Sequence, residues 1–195
     1  MALIDRVKQR TGSDLSDEEL QAMIDGIAAE LAARFGPAGE ITVELGDATD
    51  PDMRGRRTLR LNRALDAGSP VSVTEIDPGW SGDAANAIAL SANDYRVTHG
   101  GRTLTRLMDG DHGRQFWAPL VRVTYTPAEP AGIRDEAVIR LMQLDTAGQA
   151  AAGLKSERAG DYSWTAATGE ERAAAREAVF TWAAGMIGGG GMVMA

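Results

Sequence analysis

The apolar residues near the start of the chain recur every three or four positions, which is the spacing of helices with one buried face. A short first helix carries Leu3, Ile4 and Val7 on one side and is predicted to end near Gly12. A longer second helix carries the same kind of stripe. Its apolar residues are Leu20, Met23, Ile24, Ile27, Leu31 and Phe35.

The second helix also has recognisable start and stop signals. The stretch Ser16–Glu19 fits a capping box, in which the Ser16 side chain and the Glu19 side chain each bond a free backbone N–H of the other. The pair Gly36-Pro37 is predicted to end the helix.

From residue 40 the period of the apolar positions changes to two, which is typical of half-buried strands. The alternating segments are 40–45, 57–62, 71–76 and 120–126. The stretch 77–93 lacks this alternation and is predicted to be a loop. The middle of the chain is therefore expected to form a small antiparallel sheet of about five or six strands.

The segment 94–107 predicts a hairpin in detail. A turn centred on Gly100-Gly101 pairs Val97 with Leu104 and places Thr98 opposite Thr103 on the other face. Two glycines suit this turn because a tight primed turn needs positive φ angles.

Helical signals return after the connector 127–133. A polar loop is predicted at 155–165, and a fourth helix starts at a second capping box, Thr168–Glu171, and ends at Gly185. The chain is thus predicted to be α+β, a small four-helix bundle with an antiparallel β module inserted between helices 2 and 3, plus a flexible C-terminal tail. The apolar face of the third helix is predicted to be Ile133, Ala137, Val138, Leu141, Met142 and Leu144.

The domain organisation follows from this order. One domain is expected over 1–185, with helical parts at 1–36 and 128–185 and the β insertion at 38–127. Residues 186–195 are expected to form a flexible arm, because the sequence there is apolar and contains four consecutive glycines.

The charge and the composition narrow the classes of function. The chain has 195 residues and a formal net charge of −8, which argues against a general nucleic-acid binder but suits a wall past which DNA slides without sticking. The absence of cysteine excludes disulfides, thiol chemistry and Cys-ligated zinc. The first residues lack the apolar region of a signal peptide, and no apolar run reaches the roughly 18 residues of a membrane span.

The sequence predicts no catalytic, metal or cofactor site, and we expect the protein not to be an enzyme. His99 lies beside the glycine turn, and neither it nor His112 belongs to a recognisable catalytic motif. The stretch 109–113 resembles the start of a calcium loop, but position 120, where such a loop needs Glu, is Leu120. A second acidic loop is read as a polar surface loop in the same way. Its residues are Asp47, Asp50 and Asp52.

The few aromatic residues suggest packing or subunit contacts. Phe180 and Trp182 on the fourth helix are most simply core or interface residues. Tyr162 and Trp164 follow a charged stretch, where core packing is the first interpretation and a subunit contact is the second. All four are kept as candidate interface residues.

In the order and spacing of these segments, the chain resembles the head-tail connector (adaptor) family of tailed bacteriophages and related gene transfer agents. The resemblance covers about residues 2–182 and depends on the order and spacing of its pieces rather than on any one of them. The stretches 46–70 and 77–93 are longer and less regular than the family pattern. The pieces are "PVSVTEI" (70–76), "DYRV" (94–97) with Gly100-Gly101, "VRVTYTP" (121–127), "PAGIRDEAVIRLM" (130–142) and "SERAGDYSWT" (156–165).

The resemblance implies a structural virion protein without enzymatic activity, made in the host bacterial cytoplasm and located in the neck of the particle. Family members form a ring, usually dodecameric, below the portal protein. They extend the DNA channel and provide the docking platform for stopper or tail-completion proteins. The implied partners are the portal, the stopper, copies of the same chain, and packaged DNA that passes without sequence-specific binding. No membrane and no cofactor are implied.

The C-terminal arm is the predicted portal-binding segment, since this part of family members commonly reaches the portal. Its glycines allow close backbone approach, and its methionines supply adaptable apolar contacts. The predicted portal-binding residues are Met186, Ile187, Gly188, Gly189, Gly190, Gly191, Met192, Val193 and Met194.

Three other functions remain open on the sequence alone. A tail-completion or stopper protein of the same neck is also small and ring-forming, although we expect those proteins to be mainly β. A cytoplasmic protein-binding module with a disordered tail is a second alternative. An enzyme or small-molecule-binding domain is the third, because the absence of a motif is weak evidence against it.

Overall fold

The computed structural model of the protein describes residues 1–77, 86–150, 156–159, 162–165 and 168–187, and for residues 51, 148–150, 156–159 and 162–165 it describes the backbone only. Within these ranges the chain forms four α-helices and antiparallel sheets, so the predicted α+β fold is confirmed. It divides into two compact units. The helical unit comprises residues Met1–Pro37 and Glu129–Ala195, and the β unit comprises Ala38–Ala128.

Two of the four helices, the second and the fourth, begin directly after the capping residues that the sequence predicted. They are α1 (Leu3–Thr11), α2 (Asp17–Phe35), α3 (Ile133–Ala150) and α4 (Gly169–Ile187). The Ser16 hydroxyl accepts the Glu19 N–H at 3.3 Å, and the Glu19 carboxylate accepts the Ser16 N–H at 3.0 Å. Thr168 and Glu171 form the same reciprocal bonds at the start of α4, so both predicted capping boxes are confirmed. Hydrogen bonds from Ser16 and from Thr168 lower the pKa of Glu19 and of Glu171, respectively.

The core of the helical unit is built from the apolar faces of all four helices. The predicted stripe of α2 supplies four of its members, and a full burial of each such side chain contributes about 1.5–3 kcal/mol. Met23 and Phe35 pack against it while partly exposed. The buried residues are Val7, Leu20, Ile24, Ile27, Leu31, Ile133, Ala137, Val138, Ile139, Leu141, Met142, Phe180, Ala183 and Ile187.

The β unit contains two sheets within the described residues, where the sequence predicted one. The first sheet has the strand order β1-β7-β3-β4, with β1 (Ile41–Gly46), β3 (Ser72–Ile76), β4 (Ala87–Leu90) and β7 (Leu120–Tyr125). The second sheet has the order β2-β6-β5, with β2 (Thr58–Arg60), β5 (Tyr95–Thr98) and β6 (Thr103–Arg106). The prediction was wrong because alternation identifies a strand but does not say which other strand it pairs with.

Three strands lie in segments that were predicted to be loops. The β4 strand falls within 77–93, where its sequence "AIAL" has no polar alternation to mark it. Residues 156–165 were predicted to be a polar loop, but Ser156–Ala159 (β8) and Tyr162–Thr165 (β9) pair as a hairpin. A short 3₁₀ helix, Pro51–Gly55, lies between β1 and β2.

The β5–β6 hairpin confirms the predicted register. Val97 pairs with Leu104, and Thr98 pairs with Thr103. Gly100 has φ = 61° and Gly101 has φ = 85°, as a primed turn requires, and the Arg102 N–H bonds the His99 carbonyl at 3.4 Å. A Cβ on Gly101 would lie 2.7 Å from the Leu65 carbonyl oxygen, so this position also needs glycine for space.

The core of the β unit is built largely from the inward-facing residues of its strands. Tyr125 is buried in it, and its hydroxyl donates to the Arg63 carbonyl at 3.2 Å. The ring of Trp117 lies 6.5 Å from that of Tyr95. The buried residues are Leu59, Leu61, Leu65, Val73, Leu104, Trp117, Val121, Val123 and Tyr125.

Candidate functional site

The end of α4 carries the first two predicted portal-binding residues. The helix was expected to end at Gly185 but continues to Ile187. Met186 is 44% exposed, whereas Ile187 is 5% exposed and belongs to the core of the helical unit. The side chain of Ile187 is therefore already used within its own unit. The remaining predicted residues of the arm lie outside the described part of the chain: Gly188, Gly189, Gly190, Gly191, Met192, Val193 and Met194.

Phe180 is a core residue of the helical unit. It is 2% exposed, and its ring lies 6.5 Å from that of Phe35. The Arg34 guanidinium lies 3.8 Å from the centre of the Phe180 ring, which is the geometry of a cation–π contact. This side chain is therefore enclosed by its own unit.

Trp182 has a different environment one half-turn further along. Its side chain is partly buried, and the Arg140 guanidinium stacks 3.9 Å from the centre of its ring. Trp182 and Met186 are four positions apart and so lie on the same side of the helix. The exposed parts of these two residues form a small apolar surface, which we call the α4 end.

Ion pairs hold α4 against its neighbours within the helical unit. Arg176 donates to Asp145 on α3 at 2.6 Å and to Glu30 on α2 at 2.7 Å. Hydrogen bonding to Asp145 raises the pKa of Arg176, and the charge of Glu30 acts in the same direction. Arg34 pairs with Glu177 at 2.8 Å. The α4 end is thus presented by a helix that is tied to two others.

The other two predicted interface residues lie on β9. Trp164 pairs with Glu157 and Tyr162 pairs with Ala159 across the β8–β9 hairpin. Their side chains lie outside the described part of the structure, so a subunit contact through Tyr162 or Trp164 stays a prediction.

The β unit contains a buried charge network that sequence reasoning missed. Arg106 is fully buried, and its Nε donates to Glu75 Oε1 at 3.1 Å. Its Nη1 donates to the Asp94 carbonyl at 2.7 Å, and its Nη2 to the His112 carbonyl at 2.5 Å. Glu75 also accepts the Ala118 N–H at 3.2 Å. No local pattern signals this network, because its members come from strands and loops far apart in sequence.

Asp94 is the second carboxylate of this network. Burial alone raises the pKa of Asp94, but hydrogen bonds from His112 and Ser91 outweigh it and hold the pKa well below its usual range. Asp94 accepts from the His112 N–H at 2.6 Å and from the Ser91 N–H at 2.8 Å, and its Oδ2 lies 2.9 Å from His112 Nδ1. The network therefore anchors loop 107–118 to the start of β5.

The acidic loops have local structural roles. Asp47 accepts the Thr49 N–H at 2.8 Å, which lowers the pKa of Asp47, and Asp50 caps the 3₁₀ helix through the Asp52 N–H at 2.9 Å. Asp111 accepts from Ser91 Oγ at 2.5 Å. Among the described residues, no group of three or more histidine or acidic side chains is arranged to hold a metal ion.

A hollow of about 250 Å³ lies in the β unit beside the network. Its charged groups are engaged with one another, since Asp77 lies 3.3 Å from Arg54 and 3.8 Å from Arg114. Trp117, which also lines it, is 2% exposed, and its indole Nε1 has no hydrogen-bond partner among the described residues.

In the helical unit, a polar groove of about 520 Å³ runs beside the loop between α1 and α2. The described helices include none that is both long and apolar enough to cross a membrane.

Comparison with known proteins finds likeness to solved structures but not to sequence families. No family model matches the chain, and no curated protein matches it. One similar solved structure is a chain of the "Neck of empty GTA particle computed with C6 symmetry", with a TM-score of 0.47 and 16% identity over 90% of this chain and 87% of that chain. At this TM-score and identity, the likeness establishes neither a common fold nor a common function.

Proposed function

We propose that this protein is a structural virion protein of the neck, a head-tail connector that forms a ring below the portal. The ring extends the DNA channel and offers a docking platform to stopper or tail-completion proteins. It acts by binding and not by catalysis, and it needs no cofactor. Its location is the head-tail interface of the particle.

The observation that carries the proposal is the order of elements in the segments that resemble the connector family. Ser72–Ile76 forms a strand, and Tyr95–Arg106 forms a hairpin with a primed Gly-Gly turn. Leu120–Tyr125 is the last strand of the first sheet in sequence, and the third helix begins after it at Ile133. Each of these elements lies where the resemblance predicts it. The support is therefore the agreement of several local structures in one order.

The α4 end supports a docking role for the C-terminal arm. Met186 exposes apolar surface on a helix that ion pairs hold in place, and the chain continues from it into four glycines and the apolar sequence Met-Val-Met-Ala. We propose that Met186 and residues 188–195 bind a hydrophobic groove on the portal. Methionine suits such a groove because its unbranched side chain adapts to irregular surfaces.

The proposal is tested by mixing the purified chain with the portal protein of the same particle. Size-exclusion chromatography with light scattering should give a monomer of 20.6 kDa or weak association for the chain alone. Electron microscopy should show a ring of its copies on the portal. Failure to join the portal contradicts the proposal. A stable small oligomer with a bound small molecule supports a binding domain instead, and a ring that joins only a preformed connector supports a stopper.

Two truncations separate docking from folding. Deletion of residues 188–195 removes the arm but keeps Ile187 in the core, so the protein should unfold at the wild-type temperature and fail to join the portal. Deletion of residues 186–195 also removes Ile187, and loss of a buried aliphatic side chain should lower the free energy of unfolding by about 2–5 kcal/mol. If the shorter deletion still assembles normally, the docking role of the arm is wrong.

A further inference from the structure

The outward face of the second sheet carries an unusual set of side chains for an acidic protein. Leu59 and Leu104 point into the core, so the residues that alternate with them along β2 and β6 point outward, as do their partners on β5. We call this set the Arg/Thr face. Its members are Thr58, Arg60, Arg96, Thr98, Thr103 and Thr105.

The register arranges these six side chains in two rows across three strands. Thr58, Thr105 and Arg96 form one row, because Thr105 pairs with both of the others. Arg60, Thr103 and Thr98 form the next row in the same way. The two arginines therefore lie on the outer strands in different rows, about 12 Å apart along a diagonal of the sheet, with threonine hydroxyls between them.

These groups have almost no partners among the described residues. Arg60 and Arg96 are exposed, and neither makes a hydrogen bond or an ion pair there. The hydroxyls of Thr58, Thr103 and Thr105 are also without side-chain partners in that part of the chain. Only Thr98 has one, since its hydroxyl lies 3.1 Å from His99 Nδ1. The face thus offers two cations and several hydroxyl donors to a ligand.

The first sheet shows that this arrangement is not a general property of the β unit. On its outward face Arg122 pairs with Glu44 at 2.7 Å, and the hydroxyls of Thr42 and Thr124 bond each other at 2.9 Å. Similar residue types are therefore engaged with one another on one sheet and available on the other. The difference is one of cross-strand pairing, because Glu44 stands opposite Arg122 whereas Thr105 stands opposite Arg96.

We propose that the Arg/Thr face contacts the sugar–phosphate backbone of double-stranded DNA without reading its sequence. Guanidinium and threonine hydroxyl groups are the donors that proteins use for phosphate oxygens. The face has no aromatic side chain on which an unpaired base could stack, which disfavours single strands. It also has no apolar anchor of the kind that the centre of a stable protein interface requires, which disfavours a protein partner.

The proposed contact with DNA is weak because the face carries only two arginines. With two phosphate contacts, the logarithm of the association constant should fall with the logarithm of the salt concentration at a slope of about −1.8. The affinity for DNA should therefore drop about tenfold between about 50 and 200 mM salt. The net charge of −8 opposes tighter binding. Weak, sequence-independent contacts allow a duplex to move along the surface. Only the source of the duplex, packaged DNA in a neck channel, rests on the proposed function.

The test is an NMR titration of the free full-length protein with a short DNA duplex at low and raised salt. Backbone amides of β2, β5 and β6 should shift, and the affinity should fall about tenfold over the salt range. Arg60→Gln and Arg96→Gln should each reduce the salt slope by about 1. Arg122→Gln removes the same charge from the first sheet and should leave both affinity and slope unchanged.

Further experiments test the threonine hydroxyls and compare duplex DNA with other anions. Thr103→Val with Thr105→Val keeps the strand shape but removes two hydroxyls, and it should weaken binding without changing the salt slope. The proposal is overturned if no amide of the Arg/Thr face shifts, if Arg122→Gln acts like the Arg60 and Arg96 variants, or if single-stranded DNA or poly-glutamate binds as well as the duplex. None of these results bears on whether the chain joins a portal, and the portal experiment does not decide this one.

Discussion

The two sheets of the β unit carry similar outward residues but use them differently. On the first sheet the register places Glu44 opposite Arg122, and the pair lies at 2.7 Å. On the second sheet Arg60 and Arg96 each stand opposite a threonine. Cross-strand neighbours decide whether an exposed charge is neutralised locally or remains available. Composition alone therefore does not show which exposed charges have a cross-strand partner of opposite sign, whereas register does.

The second sheet also differs on its inner side, where Arg106 is buried with its partners. The first and largest expected effect comes from Arg106→Met, which removes the buried guanidinium 3.1 Å from Glu75 and leaves this buried carboxylate the half-exposed Arg114 at 3.9 Å. It should lower the free energy of unfolding by about 3–5 kcal/mol. Arg60→Gln, on the outward side of the same sheet, should change it by less than about 0.5 kcal/mol. Urea unfolding measures both. Equal effects of the two substitutions would contradict the contrast between the two sides.

The hairpin that forms most of the second sheet depends on one glycine. Gly101→Ala places a Cβ 2.7 Å from the Leu65 carbonyl at φ = 85°, so we expect a loss of about 2–3 kcal/mol. Gly100→Ala is the matched control, since within the described chain no atom beyond its own two neighbours lies within 4 Å of its Cβ, and the cost of a positive φ, about 1 kcal/mol, applies. Thermal unfolding of the two variants ranks them, and the reverse order would show that space at Gly101 is not limiting.

Asp94 anchors the start of β5 and makes the stability of this region depend on pH. Its pKa is depressed in the folded state, so its contribution is complete above the unfolded pKa of about 4 and is lost as the pH falls further. Asp94→Asn should lower the free energy of unfolding by about 2 kcal/mol at neutral pH. This difference from the wild type should shrink below about pH 4. A difference that stays constant with pH would assign the effect to shape instead of charge.

The smallest effects on stability are expected from two substitutions that add an acidic partner on the second sheet and remove one on the first. Thr105→Glu gives Arg96 a cross-strand carboxylate, and Glu44→Gln removes the partner of Arg122. Each should change the free energy of unfolding by no more than about 1 kcal/mol, because exposed pairs contribute little. The first should abolish the duplex-induced NMR shifts on the second sheet. The second should create shifts around Arg122, and their absence would mean that an unpaired arginine on a threonine-rich strand is not sufficient.

Several features of this fold could be predicted because they depend on residues close in sequence. Ser16 and Glu19 specify a capping box within one helical turn, and Gly100-Gly101 specify a primed turn that fixes the register of β5 with β6. All four buried residues of α2 likewise belong to its predicted stripe. The family resemblance rested on the same local elements, and for that reason it could predict their order.

The candidate site was less predictable. The sequence placed Met186 and Ile187 together in a flexible arm, but α4 continues through both, and only Met186 remains exposed. Phe180 and Trp182 looked alike as aromatic residues of one helix, yet packing encloses Phe180 and leaves Trp182 partly open. Which side of a short apolar helix end is covered depends on the helices beside it.

The sequence by itself determined the order of the four helices and of the strands with an alternating pattern, the caps of α2 and α4 and the hairpin turn, because steric and hydrogen-bonding rules over three to six residues are enough for these. Only the tertiary structure decided that the strands of the β unit form two sheets, that Arg106 meets Glu75 and Asp94 in a buried network, and that Arg60 and Arg96 each face outward opposite a threonine. Those outcomes depend on which distant segments pair and in which register. A shift of one residue in that register would turn each of these side chains to the opposite face.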